Sequence, residues 1–327
     1  MEVTIGVPTY RNNGTTIGDF LEALTRQSFR RFRVLLVYKP SKGDRTEEVI
    51  SRYKDKLDLE IIYQDKGYIE EAMNMLFSRA DSDLLLLTDD DTVPSNNWVE
   101  DHVKSHQVSE RGIVGNNKTV RKIRFGLAER IYSKIFEKPI DPRMSEYVVI
   151  IAETGLWTYN KNVVKSGNVV KSLGLSGYNM SVKREVYKDF RLEEMTFRGA
   201  YYENYLGVHA LRKGFHSVFI ENCCETVHLE RESISRSNDL NVIRQLYAES
   251  VLSAYYFSKF YKVNLRKLFL DMKIKTMKWN MKDKRPESIA AVEGLRIGLR
   301  IALEAIKGGY EARRVREMLR KSFKISM

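Results

Sequence analysis

The 327 residues carry 55 Lys and Arg against 43 Asp and Glu, a net charge of +12, with 43% apolar residues and two cysteines. That apolar fraction supplies a real core, and the length exceeds a usual single domain, so one large α/β domain with an appendage is expected. The adjacent pair Cys223-Cys224 excludes a disulfide framework and gives no metal-ligand spacing, and no run approaches the ~18–20 apolar residues of a membrane span.

The first strand-like segment begins at once, without a basic stretch and apolar signal core before it. A reducing, cytoplasmic compartment is therefore the expectation. The charge is uneven: Lys262 to Met327 holds 18 Lys and Arg against 7 Asp and Glu, so a surplus of 11 of the +12 lies there. The basicity belongs to the tail rather than to the body.

Strands and helices alternate over the first 117 residues. Val3–Val7, Arg33–Tyr38, Leu59–Tyr63 and Leu84–Thr88 read as strands, and Gly112–Gly115 begins a fifth. Between them Ile17–Gln27, Ile69–Arg79 and Trp98–His106 have helical spacing, and Asp44-Arg45-Thr46-Glu47 offers a helix cap. From Asn117 to Leu173 the pattern degrades; Phe136–Pro142 looks like a loop and Tyr147–Ala152 like an apolar strand. Lys183-Arg184-Glu185 starts a helix, and another runs from Tyr201 to about Lys213-Gly214, with glycine as its C-cap. Ser217–Glu221 is a strand, followed by Thr226-Val227-His228. From about Ser237 onward the pattern is helical, with Pro286 in a first turn and Gly308-Gly309 as a stop.

Alternating strands and helices imply right-handed crossovers and a mainly parallel mixed sheet sandwiched by helices, with a C-terminal helical extension. Ligands of such sheets bind beyond the carboxyl ends of the strands. The residues at those ends are Pro8-Thr9-Tyr10-Arg11, Lys39, Gln64-Asp65-Lys66-Gly67 and Asp89-Asp90-Asp91, and all should open onto one crevice. The last group follows four leucines, Leu84–Leu87. Three carboxylates there repel one another unless a hard divalent cation, Mg²⁺ or Mn²⁺, lies between them; the alternative is an acidic turn capping the next helix.

With these residues assembled, the chain resembles the family 2 inverting glycosyltransferases, which have the Rossmann-like A-type fold of the nucleotide-diphospho-sugar transferases. The resemblance spans residues 1 to 232. It rests on Val3-Thr4-Ile5-Gly6-Val7-Pro8-Thr9-Tyr10, on Gly67 and Asn74, and on Asp89-Asp90-Asp91 as a D-x-D element. Gly177-Tyr178-Asn179-Met180-Ser181 looks like the family's acceptor-side turn, Tyr202-Glu203 stands for its Glu-Asp pair, and Leu206, Lys213-Gly214 and His228 complete the set. The chain departs from the pattern at Lys39, where an acidic contact to the nucleobase is usual, and at Met73, where arginine is frequent. Glu203 replaces the usual aspartate. No Gln-x-x-Arg-Trp element of processive synthases appears, so a single addition is expected rather than polymerisation.

The resemblance implies a nucleotide-diphosphate sugar donor, UDP- or GDP-linked, and a hydroxyl acceptor such as a polyprenyl-linked one or a glycan. It implies a nucleotide-binding half, 1–117, and an acceptor-side half, 118–236, with a basic helical tail from 237 to 327. Pro8, Thr9, Tyr10, Arg11, Lys39, Lys66, Gly67, Asn74, Asp89 and Asp90 would hold the donor, and Asp89, Asp91 and His228 the metal. Asp89 or Asp90 could instead take the ribose hydroxyls. A lone His near a strand end is otherwise a packed polar residue. Glu203 would be the base, ionised at neutral pH from an unperturbed ~4.3; its plain alternative is an acid serving a helix dipole. His102 and His106, four apart with no third ligand nearby, read as a helix face.

In the tail, Leu265, Leu268, Phe269, Met272, Thr276 and Trp279 share a helical face, with Lys267, Lys273, Lys275, Lys278 and Lys282 largely elsewhere. Ile289, Val292, Leu295, Leu299 and Leu303 follow at similar spacing. Such helices suit the anionic inner face of a membrane, or pack on the body or on a second subunit. Two other functions stay open: sugar-phosphate nucleotidyl transfer, for which the turn Arg11–Gly14 is short and lacks a lysine, and nucleic-acid binding, for which the tail lacks aromatic-basic interleaving.

Overall fold

A computed structural model describes residues 1–116, 126–163, 167–199, 201–229 and 239–325, with no account of the Lys282 side chain. The expected domain boundaries at 117–118 and 236–237 lie outside those residues. The chain forms two compact units: 1–121, 166–192 and 202–231 make the first, the remainder the second.

The first unit begins with β1 (Val3–Tyr10), α1 (Ile17–Thr25), β2 (Phe32–Lys39), α2 (Thr46–Ser51) and β3 (Leu59–Tyr63). It continues with α3 (Ile69–Arg79), β4 (Leu84–Thr88), β5 (Thr92–Pro94), α4 (Trp98–Ser105) and β6 (Arg111–Gly115). The second unit then contributes α5 (Leu127–Phe136) and the strands β7 (Val149–Ile151) and β8 (Trp157–Tyr159). The first resumes with β9 (Val169–Lys171), β10 (Asn179–Lys183), α6 (Arg184–Tyr187), α7 (Tyr202–Arg212), β11 (His216–Ile220) and β12 (Thr226–His228). The second closes with α8 (Leu240–Val251), α9 (Ser253–Ser258), α10 (Leu265–Lys282), α11 (Pro286–Gly308) and α12 (Ala312–Phe323).

Eight strands make one sheet in the order β3-β2-β1-β4-β10-β6-β11-β9. β1 pairs in parallel with β2 and β4, and β2 with β3, as right-handed crossovers through α1, α2 and α3 require. Leu84 to Leu87 on β4 are fully buried, which fits a strand covered on both faces. α1 turns Ile17, Phe20, Leu21 and Leu24 into the core at helical spacing. Asp44 accepts the Thr46 backbone N–H at 2.9 Å, capping α2 from outside.

One expectation needs correction, and one unassigned stretch gains an element. Residues 179–183 do not continue a turn; they form β10, antiparallel to both β4 and β6 in the middle of the sheet. Leu127–Phe136, inside the stretch where the pattern degrades, is a helix. In the second unit α8 and α11 pack at close range. A Cβ on Gly294 would meet the Arg244 carbonyl oxygen at 2.2 Å, and one on Gly298 the Ala248 carbonyl oxygen at 2.3 Å. Of the expected apolar face of α10, Leu268, Met272 and Thr276 are buried, whereas Phe269 is exposed.

Candidate active site

The rim of the parallel strands is built first. Tyr10 and Lys39 are register partners at the ends of β1 and β2. The Lys39 ammonium lies 5.4 Å from the Tyr10 ring centroid and 5.5 Å from that of Tyr68, and it donates to the Gly67 carbonyl oxygen at 2.5 Å. Gly67 has φ +94°, a conformation that glycine adopts without strain. Arg11, itself at φ 53°, stands 5.0 Å from the Tyr10 centroid. Sequence reasoning missed Tyr68, because a loop aromatic carries no periodic signal.

The turn after β1 is tied to the acidic segment. Asn12 accepts the backbone N–H groups of Thr16 and Ile17, and its amide donates to the Asp90 carbonyl oxygen at 3.4 Å. Thr16 Oγ1 donates to the same carbonyl at 3.0 Å. Thr9 Oγ1 is buried with no hydrogen-bond partner among the described residues. Pro8 is half-buried beside it, and Lys66 is exposed on the loop before Gly67. Asn74 is occupied elsewhere: its side chain donates to the Leu192 carbonyl oxygen at 2.9 Å and accepts the Leu192 N–H at 2.8 Å.

Beyond β4 the chain turns through Asp89-Asp90-Asp91 into β5, which pairs antiparallel with β12 so that His228 opposes Thr92. The Leu229 N–H donates to the Asp91 carbonyl oxygen at 2.7 Å and holds the two segments together. His228 Nε2 is thereby brought 3.5 Å from Asp91 Oδ1 and 3.8 Å from Asp89 Oδ2. The ligand atoms of all three residues lie within 4.8 Å of one another. His228 Nδ1 is 3.1 Å from the Leu229 carbonyl oxygen, which can only accept, so Nδ1 is the donor. In the neutral ring the Nε2 lone pair then faces the carboxylates, the tautomer a metal ligand needs. Asp89, and then Asp91, hold the imidazole above its usual pKa. Two carboxylates and an oriented imidazole are a donor set that fits a divalent cation.

Glu203 opens α7, half-buried. Burial raises its carboxyl to about 7, with the charge of Asp89 adding to the effect and the backbone N–H groups of Glu203 and Gly177 opposing it. The ordinary carboxylate value expected from sequence is thus replaced by one near neutrality. A Cβ on Gly177 would lie 2.4 Å from Glu203 Oε1 and 2.5 Å from the Tyr202 hydroxyl oxygen. The next residue, Tyr178, sets its ring edge-on to His228, with centroids 5.0 Å apart. The turn before β10 therefore touches both Glu203 and the imidazole of the acidic cluster.

Behind the site, Asn179 accepts from the Trp98 indole at 2.8 Å, lies 3.1 Å from His102 Nε2, and donates to the Cys224 carbonyl oxygen at 2.8 Å. Ser181 Oγ bridges His102 Nδ1 and His106 Nε2, each at 2.8 Å. Burial pushes the two imidazoles down to about 4 and about 3. His102 packs on the inner face of α4, as expected of a helix face, and His106 follows as the residue that caps its C-terminal end.

The sequence matches the family described as Glycosyl transferase family 2 over residues 4–167, half of the chain. This chain is a glycosyl transferase of family 2. Between sugar transfer and nucleotidyl transfer, the family decides for the former. No protein of curated function matches this family 2 glycosyltransferase. Among solved structures it is similar to residues 1–349 of TarS from S. aureus, crystallised with UDP-GlcNAc. That likeness has 15% identity and a TM-score of 0.50, and it covers 94% of this chain and 92% of the other. GalNAc-T7 with UDP, GalNAc and Mn²⁺ gives 9% identity and a TM-score of 0.55 over 99% of this chain and 55% of that one. At such identities the likeness shows the shared fold.

Proposed function

We propose that this glycosyltransferase moves one sugar from a UDP- or GDP-linked donor to a hydroxyl acceptor by direct displacement with inversion, using Mg²⁺ or Mn²⁺. The observation that carries the reading is the meeting of Asp89, Asp91 and His228 within 4.8 Å, with Glu203 close enough to be affected by the charge of Asp89. Asp89, Asp91 and His228 would hold the cation. Bound there, it would supply the Lewis acidity that neutralises a departing diphosphate.

The other roles belong to the chain's own groups. Tyr10 and Tyr68, both within reach of the Lys39 ammonium, are assigned to the nucleobase. Pro8, Thr9, Arg11, Lys39, Lys66 and Gly67 line the same rim, and Asp89 or Asp90 is assigned to the ribose hydroxyls. Asn74 acts at one remove, through its grip on Leu192. Glu203 takes the acceptor hydroxyl's proton while that oxygen bonds to the anomeric carbon. The bond from that carbon to the diphosphate oxygen breaks, and its electron pair leaves with the nucleotide. A carboxyl poised near 7 matches a base working near neutrality. Gly177 keeps open the space Glu203 occupies.

We further read the tail as a device for meeting an anionic membrane surface, which suits a polyprenyl-linked acceptor. Among the described residues no helix is long and apolar enough to cross a membrane.

The test is consumption of UDP- and GDP-sugars with Mn²⁺, followed by the anomeric configuration of the product. Glu203→Gln should abolish turnover and leave nucleotide diphosphate binding intact. Retained turnover in that variant rejects Glu203 as base, and a retained anomeric configuration rejects direct displacement.

A further inference from the structure

Helices α5 and α10 of the second unit are neighbours, joined where the Tyr132 hydroxyl donates to the Asp271 carboxylate. Each buries one face and leaves a second apolar stripe uncovered. On α10, Leu270, Ile274, Met277 and Met281 recur at intervals of three and four residues, so they share one face; all are exposed, Met281 to 81%. This stripe differs from the face marked by Leu268, Met272 and Thr276, which is packed inside. On α5, Leu127, Ile131 and Ile135 repeat every fourth residue and are likewise exposed, Leu127 to 76%. Two adjoining helices thus present seven large apolar side chains to solvent, more than scattered surface hydrophobics account for.

Cations predominate around the stripes, with the exposed Glu129 on α5 and the Glu153 that pairs with Lys267 as the acids nearby. Arg266 and Lys273 flank the α10 stripe on one side and Lys278 on the other, all exposed and with no acid paired to them among the described residues. Arg130 and Lys134, also exposed, run along one side of the α5 stripe. The one acid of α10, Asp271, is buried and held by Lys275 at 2.9 Å. A second copy of this chain, docking by twofold symmetry, would set these cations against their equivalents. An anionic bilayer meets both features: apolar side chains enter the acyl boundary while the flanking cations meet lipid phosphates.

We propose that α5 and α10 form a two-helix platform that docks on an anionic lipid bilayer. This rests on the membrane reading of the tail and names the surface responsible. α10, 18 residues long, lies in the interface rather than across it, a helix of about 27 Å at 1.5 Å per residue. The platform belongs to the unit that does not carry the acidic cluster.

The experiment is cosedimentation of the full chain with vesicles of phosphatidylglycerol and phosphatidylcholine, and with phosphatidylcholine alone, at low and high salt. Ile274→Glu with Met277→Glu, and Lys273→Glu with Lys278→Glu, change exposed side chains only; circular dichroism and melting confirm that each pair folds. The platform predicts binding to the anionic vesicles that weakens with salt, and a loss of about tenfold or more in partitioning for either pair. Asp91→Asn should bind vesicles like the parent, which separates docking from transfer. Absence of wild-type binding at low salt overturns both the platform and the membrane reading. Binding that the variants retain overturns the platform alone. A self-associating species in sedimentation velocity that the same variants dissolve, without vesicle binding, assigns the stripes to a second copy instead.

Discussion

A β-carbon placed on Gly177 would fall 2.4 Å from Glu203 Oε1, so the turn before β10 and the first residues of α7 share a space that only glycine leaves free. The carboxylate's position is set by that absence of a side chain as much as by the helix that carries it.

Gly177→Ala should therefore act as a catalytic lesion rather than a folding one. The atoms the new methyl meets are the ends of the Glu203 and Tyr202 side chains, which can rotate away. A carboxylate displaced by about 1 Å should lower kcat about 100-fold. Steady-state kinetics beside calorimetric titration with nucleotide diphosphate will check this. A fall in kcat with donor binding preserved is expected; equal loss of both points to a collapsed turn.

The rate should depend on pH through Glu203. A base works only when ionised, and burial raises this one to about 7. Turnover should fall about tenfold for each pH unit below that value and level off above it. A pH profile from 5 to 9 will show the limb; a profile flat from pH 5 upward would mean that another group takes the proton.

Glu249 offers a test of stability that leaves the site alone. It is fully buried on α8, accepting the backbone N–H groups of Phe197 and Arg198 at 3.0 and 3.1 Å. Burial raises its carboxyl from 4.5 to about 7. The folded state thus binds the proton more tightly than the unfolded one, so its stabilising contribution is complete below about 4.5. It is lost as pH rises through about 7. The elevation corresponds to about 3 kcal/mol at one pKa unit per 1.36 kcal/mol. Denaturant melts at pH 5 and pH 8 should show a smaller pH difference in Glu249→Gln than in the parent; an unchanged difference would refute the assignment.

How much could be read beforehand followed the kind of signal each element leaves. Leu84–Leu87 betrays a strand covered on both faces because burial demands an unbroken apolar run, and the acidic triplet after it is conspicuous for its own repulsion. β10 hid behind Gly177-Tyr178, which reads as a turn; its strand conformation comes from β4 and β6 on either side, a tertiary cause. α5 buries little beyond Ser133 and Phe136, so its apolar positions mark an outward stripe rather than the core face that helical periodicity usually signals. Glu203 and His228 needed a family resemblance to stand out, since one acid or one imidazole does not announce what it faces. The link that gathers them is pairing between β5 and β12 and the contact at Gly177, both distant in sequence.

The account stands most directly on the cation grip of Asp89, Asp91 and His228. Calorimetric titration of the wild-type chain with UDP and with GDP, with and without Mn²⁺, measures it. The expected result is binding of one nucleotide that strengthens at least tenfold with Mn²⁺, a gain that Asp91→Asn and His228→Ala each remove. Nucleotide binding indifferent to Mn²⁺, or a Mn²⁺ effect undiminished in both variants, would contradict it.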